Sequence, residues 1–187
     1  MYVNKEKRAF KGKSLLEKVE NYTVVDIETT SLDAVFGEIL EISAIKVRNR
    51  KEVDNFSEII KVNHEIGWPT TNLTGITTKL VEEEGKDLLY VLLDFKDFLG
   101  DDIIVGHNVN FDINFLYDTI REHLGDYLMN DYIDTLRISR RVLKELSHHR
   151  LDDLIDYFGL KQRREHRALN DCVLTNQVYL KLCQYEF

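Results

Sequence analysis

The sequence has little of what marks a secreted, zinc-bound or nucleotide-fold protein. Its 187 residues include two cysteines, one proline, two methionines and one tryptophan. Cys172 and Cys183 form no Cys-x-x-Cys pair, so neither a disulfide framework nor a Cys-rich zinc site is expected. His-x-His and His-x-x-x-His spacings are absent. So are a Gly-x-Ser-x-Gly elbow and any Walker or Rossmann glycine loop, which leaves serine-nucleophile and nucleotide-fold readings without support. No apolar run is long enough to span a bilayer, and no signal core follows the basic N-terminus. The expectation is a cytoplasmic protein with no membrane partner.

Positive charge is also short, at a net −8. That argues against gripping nucleic acid by bulk electrostatics alone. It leaves room for an acidic, cation-recruiting site with basic patches elsewhere. Three basic clusters qualify: Lys5 to Lys18; Arg137, Arg140, Arg141 and Lys144; and Lys161, Arg163, Arg164 and Arg167. Each reads equally well as a solvated face. Hydrophobic residues make up 43% of the chain, enough for one ordinary folded domain.

What is present is led by Val24-Val25-Asp26-Ile27-Glu28-Thr29-Thr30. In an extended strand alternate side chains share a face, so Asp26 and Glu28 point one way and Val25 and Ile27 the other. Two carboxylates so placed repel, and their burial is costly without a partner. A divalent cation would meet both problems.

The wider pattern reads as a basic, partly helical leader over 1–20 and a single domain over 21–187. Strands are expected at 22–28, 38–47 and 52–61, with a hairpin corner at Asn49-Arg50-Lys51. Helices follow at 77–84 and 87–99, a buried strand at 102–106, a helix at 112–124 opened by Asp112, and a brief strand at 132–133. Further helices run to about 143, over 151–158 and over 168–183. Hairpin strands followed by strands alternating with helices imply an α/β domain with a mixed sheet.

Three more segments carry polar groups where strands meet helices, the usual place for sites in α/β sheets. His107-Asn108-Val109-Asn110-Phe111-Asp112 is the first. Taken alone, Asp112 is most simply a helix N-cap. In Glu165-His166-Arg167-Ala168-Leu169-Asn170-Asp171, His166 alone is a surface residue and Asp171 alone a first-turn helix acid. In Asp134-Thr135-Leu136, Asp134 reads as a cap. The remaining histidines, His64, His123, His148 and His149, carry no metal spacing.

Together the motifs keep a fixed order: Asp-x-Glu-Thr-Thr on a strand, His-Asn-x-x-Phe-Asp at a strand-to-helix junction, and His-x-x-x-x-Asp opening the last helix. This pattern resembles the DEDDh (DnaQ-like) 3′–5′ exonucleases of the ribonuclease-H-like superfamily. It looks most like the proofreading domains of bacterial DNA polymerase III, both the separate epsilon subunit and the domain embedded in PolC. Residues 72–77 and Asp134-Thr135-Leu136 are secondary matches to the same family.

The resemblance implies a ribonuclease-H-like five-stranded mixed sheet flanked by helices. It implies that Asp26, Glu28, Asp112 and Asp171 hold two divalent cations, Mg²⁺ or Mn²⁺, with Asp26 shared between them and His166 as general base. Thr29, Thr30, Leu32, Asn108 and Phe111 would contact the terminal nucleotide. The substrate would be a single-stranded or frayed 3′ end, DNA more than RNA, and a DNA polymerase is a possible partner. An RNA-trimming exoribonuclease and a non-catalytic polymerase-associated module are the competing readings. No long tail follows the last helix, so the domain is expected to act alone or to be recruited through its surface. One departure bears on the site. The family usually has glycine after Thr-Thr where this chain has Ser31, a penalty if that position needs positive φ.

Overall fold

The computed structural model describes residues 8–32, 37–160 and 168–187. Its six-stranded sheet is built from β1 (Ser14–Leu15), β2 (Tyr22–Thr29), β3 (Ile39–Arg48), β4 (Lys51–Ile59), β5 (Ile104–Gly106) and β6 (Tyr132–Asp134), in the order β1-β6-β5-β2-β3-β4. The long strands β2, β3 and β4 run antiparallel. The short strands β5, β6 and β1 add on in parallel. The mixed α/β architecture matches the sequence reading.

One strand more than expected is present. Among the described residues 8–20 there is no helix, and Ser14–Leu15 pairs with Tyr132 and Ile133. Gly12 permits that approach: a Cβ there would lie 1.9 Å from the Asn130 carbonyl oxygen. The Arg8 guanidinium also pairs with Asp118 at 2.5 Å. The described part of the basic leader is therefore laid along the sheet edge. A two-residue strand has no periodicity of its own and exists only because β6 offers an open edge.

The β3–β4 hairpin turns at Asn49 (φ 50°) and Arg50 (φ 63°), the left-handed pair that a two-residue turn needs. Asn tolerates this conformation and Arg does not, at a cost of roughly 1–2 kcal/mol. Arg50→Gly is therefore expected to raise Tm by about 2–4 °C per kcal/mol relieved. The exposed Arg50–Glu20 pair it removes is worth little. A thermal melt that falls instead would show that the ion pair outweighs the backbone strain.

Among the described residues the helices are α1 (Trp68–Thr74), α2 (Thr78–Glu84), α3 (Leu88–Leu99), α4 (Asn110–Leu124), α5 (Thr135–Val142), α6 (Leu151–Phe158) and α7 (Ala168–Leu182). The helix α1 was not anticipated. Pro69 stands in its first turn, where a missing N–H costs nothing, and Gly75 closes it at φ 72°. Beneath it, Ile66 and Ile76 join Leu40, Ile59 and Val81 in a small core.

The sheet separates two larger cores. Val25, Ile27, Ile42 and Ile104 pack with Phe95 of α3 and Ile113 and Leu116 of α4. Val24, Ile45, Val105 and Ile133 pack with Leu154 of α6 and Cys172 and Val178 of α7. The alternation in β2 thus holds: Val25 and Ile27 face α3 and α4, and the opposite face, with Asp26 and Glu28, looks toward α7. Among the described residues no helix is long and apolar enough to cross a membrane.

Candidate active site

The acidic centre forms where the C-terminal end of β2 meets the first turns of α4 and α7. Carboxylate oxygens of Asp26, Glu28 and Asp171 all lie within 4.8 Å of one another. Asp26 and Glu28 arrive by strand alternation, and Asp171 lies in the first turn of α7. Asp112 completes the group from α4. It is 5% exposed, and its Oδ1 accepts the Ile27 N–H at 3.2 Å. It does not open the helix as expected. That helix starts at Asn110, with Val109 at the cap position, which frees the Asp112 side chain to lean onto β2. His166 falls outside the described residues.

Electrostatics bear out the repulsion argument. Burial, then the nearby Asp112, Glu28, Asp171 and Glu41, holds the Asp26 carboxyl well above its ordinary range. Burial and the Asp171 and Glu41 charges push Glu28 up to about 7. Burial lifts Asp112 to about 8, against the pull of its backbone hydrogen bonds. A cluster that resists ionising this strongly is one that a multivalent cation would relieve.

The donor set is oxygen alone, which suits a hard cation such as Mg²⁺ or Mn²⁺. The nearby Cys172 thiol is no competitor. It is fully buried, burial pushes it up, and it donates to the Ser43 carbonyl at 3.3 Å.

Glu41 was missed by the sequence reading. It is fully buried on β3 directly across from Glu28, and Oε1 accepts from Ser57 Oγ at 3.2 Å. Its signal was visible, as an acid inside the apolar run Ile39-Leu40-Glu41-Ile42, but alternation alone reads it as a solvent-facing residue.

Beside Glu28 lies a cavity of about 240 Å³ lined by Glu28, Thr29, Thr30, Ser31, Leu32 and Phe111, with Pro69, Thr70 and Leu73 of α1 opposite. Four of the five residues expected to touch substrate therefore share one cavity. Asn108, the fifth, lines a different cavity. Thr29 Oγ1 donates to the Ser31 carbonyl at 2.8 Å, and Thr30 Oγ1 accepts the Glu38 N–H at 2.9 Å, which stiffens this wall. Leu32 is 85% exposed and Leu73 71% exposed, apolar side chains left bare at the mouth. Ser31 is not among the described non-glycine residues with positive φ, so the replacement of glycine carries no backbone penalty here. Asp134 does cap α5 as expected, accepting from Leu136 N at 2.9 Å, and it also holds Asn108 N at 2.9 Å.

Four acids thus gather around one strand end, on a mixed sheet with helices on both faces. Residues 23–179 match the family model described as Exonuclease, and the chain belongs to that family. It is similar to the DNA polymerase III PolC-type protein of Thermotoga maritima, with 39% identity over 163 residues, 87% of this chain and 12% of that one. The Bacillus subtilis counterpart is 36% identical over 169 residues, 90% of this chain and 12% of that one. The chain thus spans about an eighth of the length of these relatives. In fold it is similar to E. coli exonuclease I in complex with a dT13 oligonucleotide, at a TM-score of 0.72, 16% identity, and 87% and 41% coverage of the two chains. It is also similar to exonuclease X in complex with 5′ overhanging duplex DNA, at 0.66, 23% identity, and 87% and 91% coverage.

Proposed function

We propose that the chain removes nucleotides one at a time from the 3′ end of single-stranded or frayed DNA, releasing nucleoside 5′-monophosphates. The observation that carries this reading is the convergence of Asp26, Glu28 and Asp171 oxygens within 4.8 Å, flanked by Asp112 and by a cavity for a terminal nucleotide. We take 21–187 as the exonuclease domain.

Asp26, Glu28, Asp112 and Asp171 would hold two divalent cations, Mg²⁺ or Mn²⁺, and Asp26 would serve both. Such ions, when bound, supply positive charge against the phosphodiester and acidify the attacking water. The chain's own residues do the rest. Leu32 and Leu73 would close on the last base from opposite sides, and Phe111 would support the sugar from the floor. His166 would take the proton of the attacking water, a role an imidazole can fill near neutral pH. The DNA preference rests on the similarity to DNA polymerase III PolC-type proteins, as does recruitment to a polymerase.

The test is release of labelled monophosphate from matched DNA and RNA strands, with Mg²⁺ and with chelator. Mg²⁺-dependent release from the 3′ end of DNA, faster than from RNA, is expected. Faster release from RNA would make the chain a ribonuclease, and no release from either would make it a binding module. Leu32→Ala and Leu73→Ala should each raise KM on single-stranded DNA about 3- to 10-fold, the loss of a partly buried leucine contact. Unchanged KM in both would remove the clamp.

A further inference from the structure

A second cavity, of about 490 Å³, opens between the β5–α4 turn, α5 and the segment joining α5 to α6. It is lined by His107, Asn108, Arg140, His148, His149 and Arg150, with apolar and serine neighbours. None of the described lining residues is acidic, which is unusual in a chain of net charge −8. The carboxylates around it are engaged: Glu145, close enough to interact with His149, accepts from Tyr157 Oη at 2.7 Å, and Asp152 acts on Arg150. Asp134 accepts the N–H groups of Asn108 and Leu136, and Asp153 accepts from Arg150.

The framework of this cavity is built. His107 Nδ1 lies 2.9 Å from Thr135 Oγ1, and its ring also hydrogen-bonds the backbone of His149. His149 Nδ1 in turn lies 3.1 Å from Ser139 Oγ. These bonds fasten the α5–α6 segment to the end of β5. Asn108 holds the left-handed φ 57° at the lip, a conformation asparagine tolerates. His107 itself is neutral at pH 7, with burial pulling it down to about 4. The positive charge therefore comes mainly from Arg140, exposed on α5 and also acting on the Asp134 carboxyl, with Arg150 paired to Asp153.

The junction of β5 and α4 borders both cavities: Phe111, in the first turn of α4, lines the one beside Glu28, and Asn108, in the turn before it, lines this one. A strand whose last nucleotide sits beside Glu28 must leave the acidic centre somewhere, and its phosphates are repelled by four carboxylates. The basic cavity is the adjoining place that answers this repulsion.

We propose that it holds a phosphodiester group of the DNA strand on the 5′ side of the scissile bond, with Arg140 as its principal contact. This rests on the nuclease reading above. The site would make the enzyme favour strands of three nucleotides or more over a dinucleotide, and would account for binding of a polyanion by an acidic chain.

The experiment compares Arg140→Ala, Arg140→Lys and wild type on dTpdT, which carries only the scissile phosphate, and on (dT)12. Arg140→Ala should raise KM for (dT)12 roughly 5- to 20-fold relative to KM for dTpdT, the scale of one charge-assisted contact. It should also flatten the salt dependence of (dT)12 binding, read by fluorescence anisotropy in chelator, by about 0.7 in log–log slope. Arg140→Lys should restore most of both. Equal losses on the two substrates, or no loss on (dT)12, would overturn the proposal. So would relief of dTMP inhibition without a change in KM for (dT)12, which would assign the cavity to the released monophosphate. The anisotropy measurement needs no hydrolysis. Wild type that binds (dT)12 through Arg140 yet cuts nothing would sink the nuclease reading and leave this site standing.

Discussion

Asp26→Asn is expected to abolish hydrolysis, with a loss of at least about 10³-fold, while making the cation-free protein more stable at pH 8. The first effect follows from removing the carboxylate at the centre of the cluster. The second follows from its electrostatics. Asp26, Glu28 and Asp112 all bind protons more tightly in the folded chain than their ordinary values allow. Between the usual carboxylate range and about 8, the folded state therefore holds more protons than the unfolded one, and stability falls as pH rises through that window. A neutral amide at position 26 relieves the repulsion, so in chelator at pH 8 Tm should rise by about 2–4 °C per kcal/mol relieved. At pH 5, where the acids are largely protonated, the gain should shrink. Mg²⁺ or Mn²⁺ should stabilise wild type most at the high end of the same window, because it binds the ionised forms. Calorimetric titration should show its affinity lost in the variant. A variant less stable than wild type in chelator at pH 8 would mean that Asp26 is satisfied by something other than a cation.

The second large effect is expected at His166. His166→Ala should lower kcat by roughly 10²- to 10⁴-fold, the usual contribution of a positioned general base. Cation affinity measured by calorimetry should stay close to wild type, since the residue contributes no carboxylate. The pH–rate profile separates this role from a structural one. In wild type kcat should fall on the acid side as the imidazole takes up a proton, and that limb should vanish in the variant. A variant that keeps near-wild-type turnover, or keeps the acid limb, would assign the proton transfer to another group.

Much of the site was legible before the structure. The shared face of Asp26 and Glu28 is a property of two residues in one strand, and the pleat places them without help from the rest of the fold. Asp134 as a helix cap is likewise local. Asp112 and Asp171 were different. Each had a sufficient local explanation, as a cap and as a first-turn acid, and only the ordered resemblance joined them to the strand. The structure shows why the local reading of Asp112 fails: the helix begins two residues earlier, so the carboxylate is free to take the Ile27 N–H.

What stayed hidden was made by contact. Ser14–Leu15 is a strand only because β6 has an edge to offer. The helix α1 is seven residues long and opens with Trp68-Pro69, too short for a period to show. Glu41 reads as an outward residue until β3 is seen covered on both faces.

The sequence by itself therefore pointed to the family. Acids of the right type, in an order that matches one family, need no coordinates to point to an oxygen-ligated cation and a phosphodiester. Tertiary structure alone decided the surroundings of that chemistry. It brought Leu73 of α1 opposite Leu32, buried Glu41 across from Glu28, and placed Asn108 not at the cavity beside Glu28 but at the lip of a second one. Each of these depends on residues far apart in the chain meeting across the sheet, a long-range arrangement on which spacing and periodicity are silent.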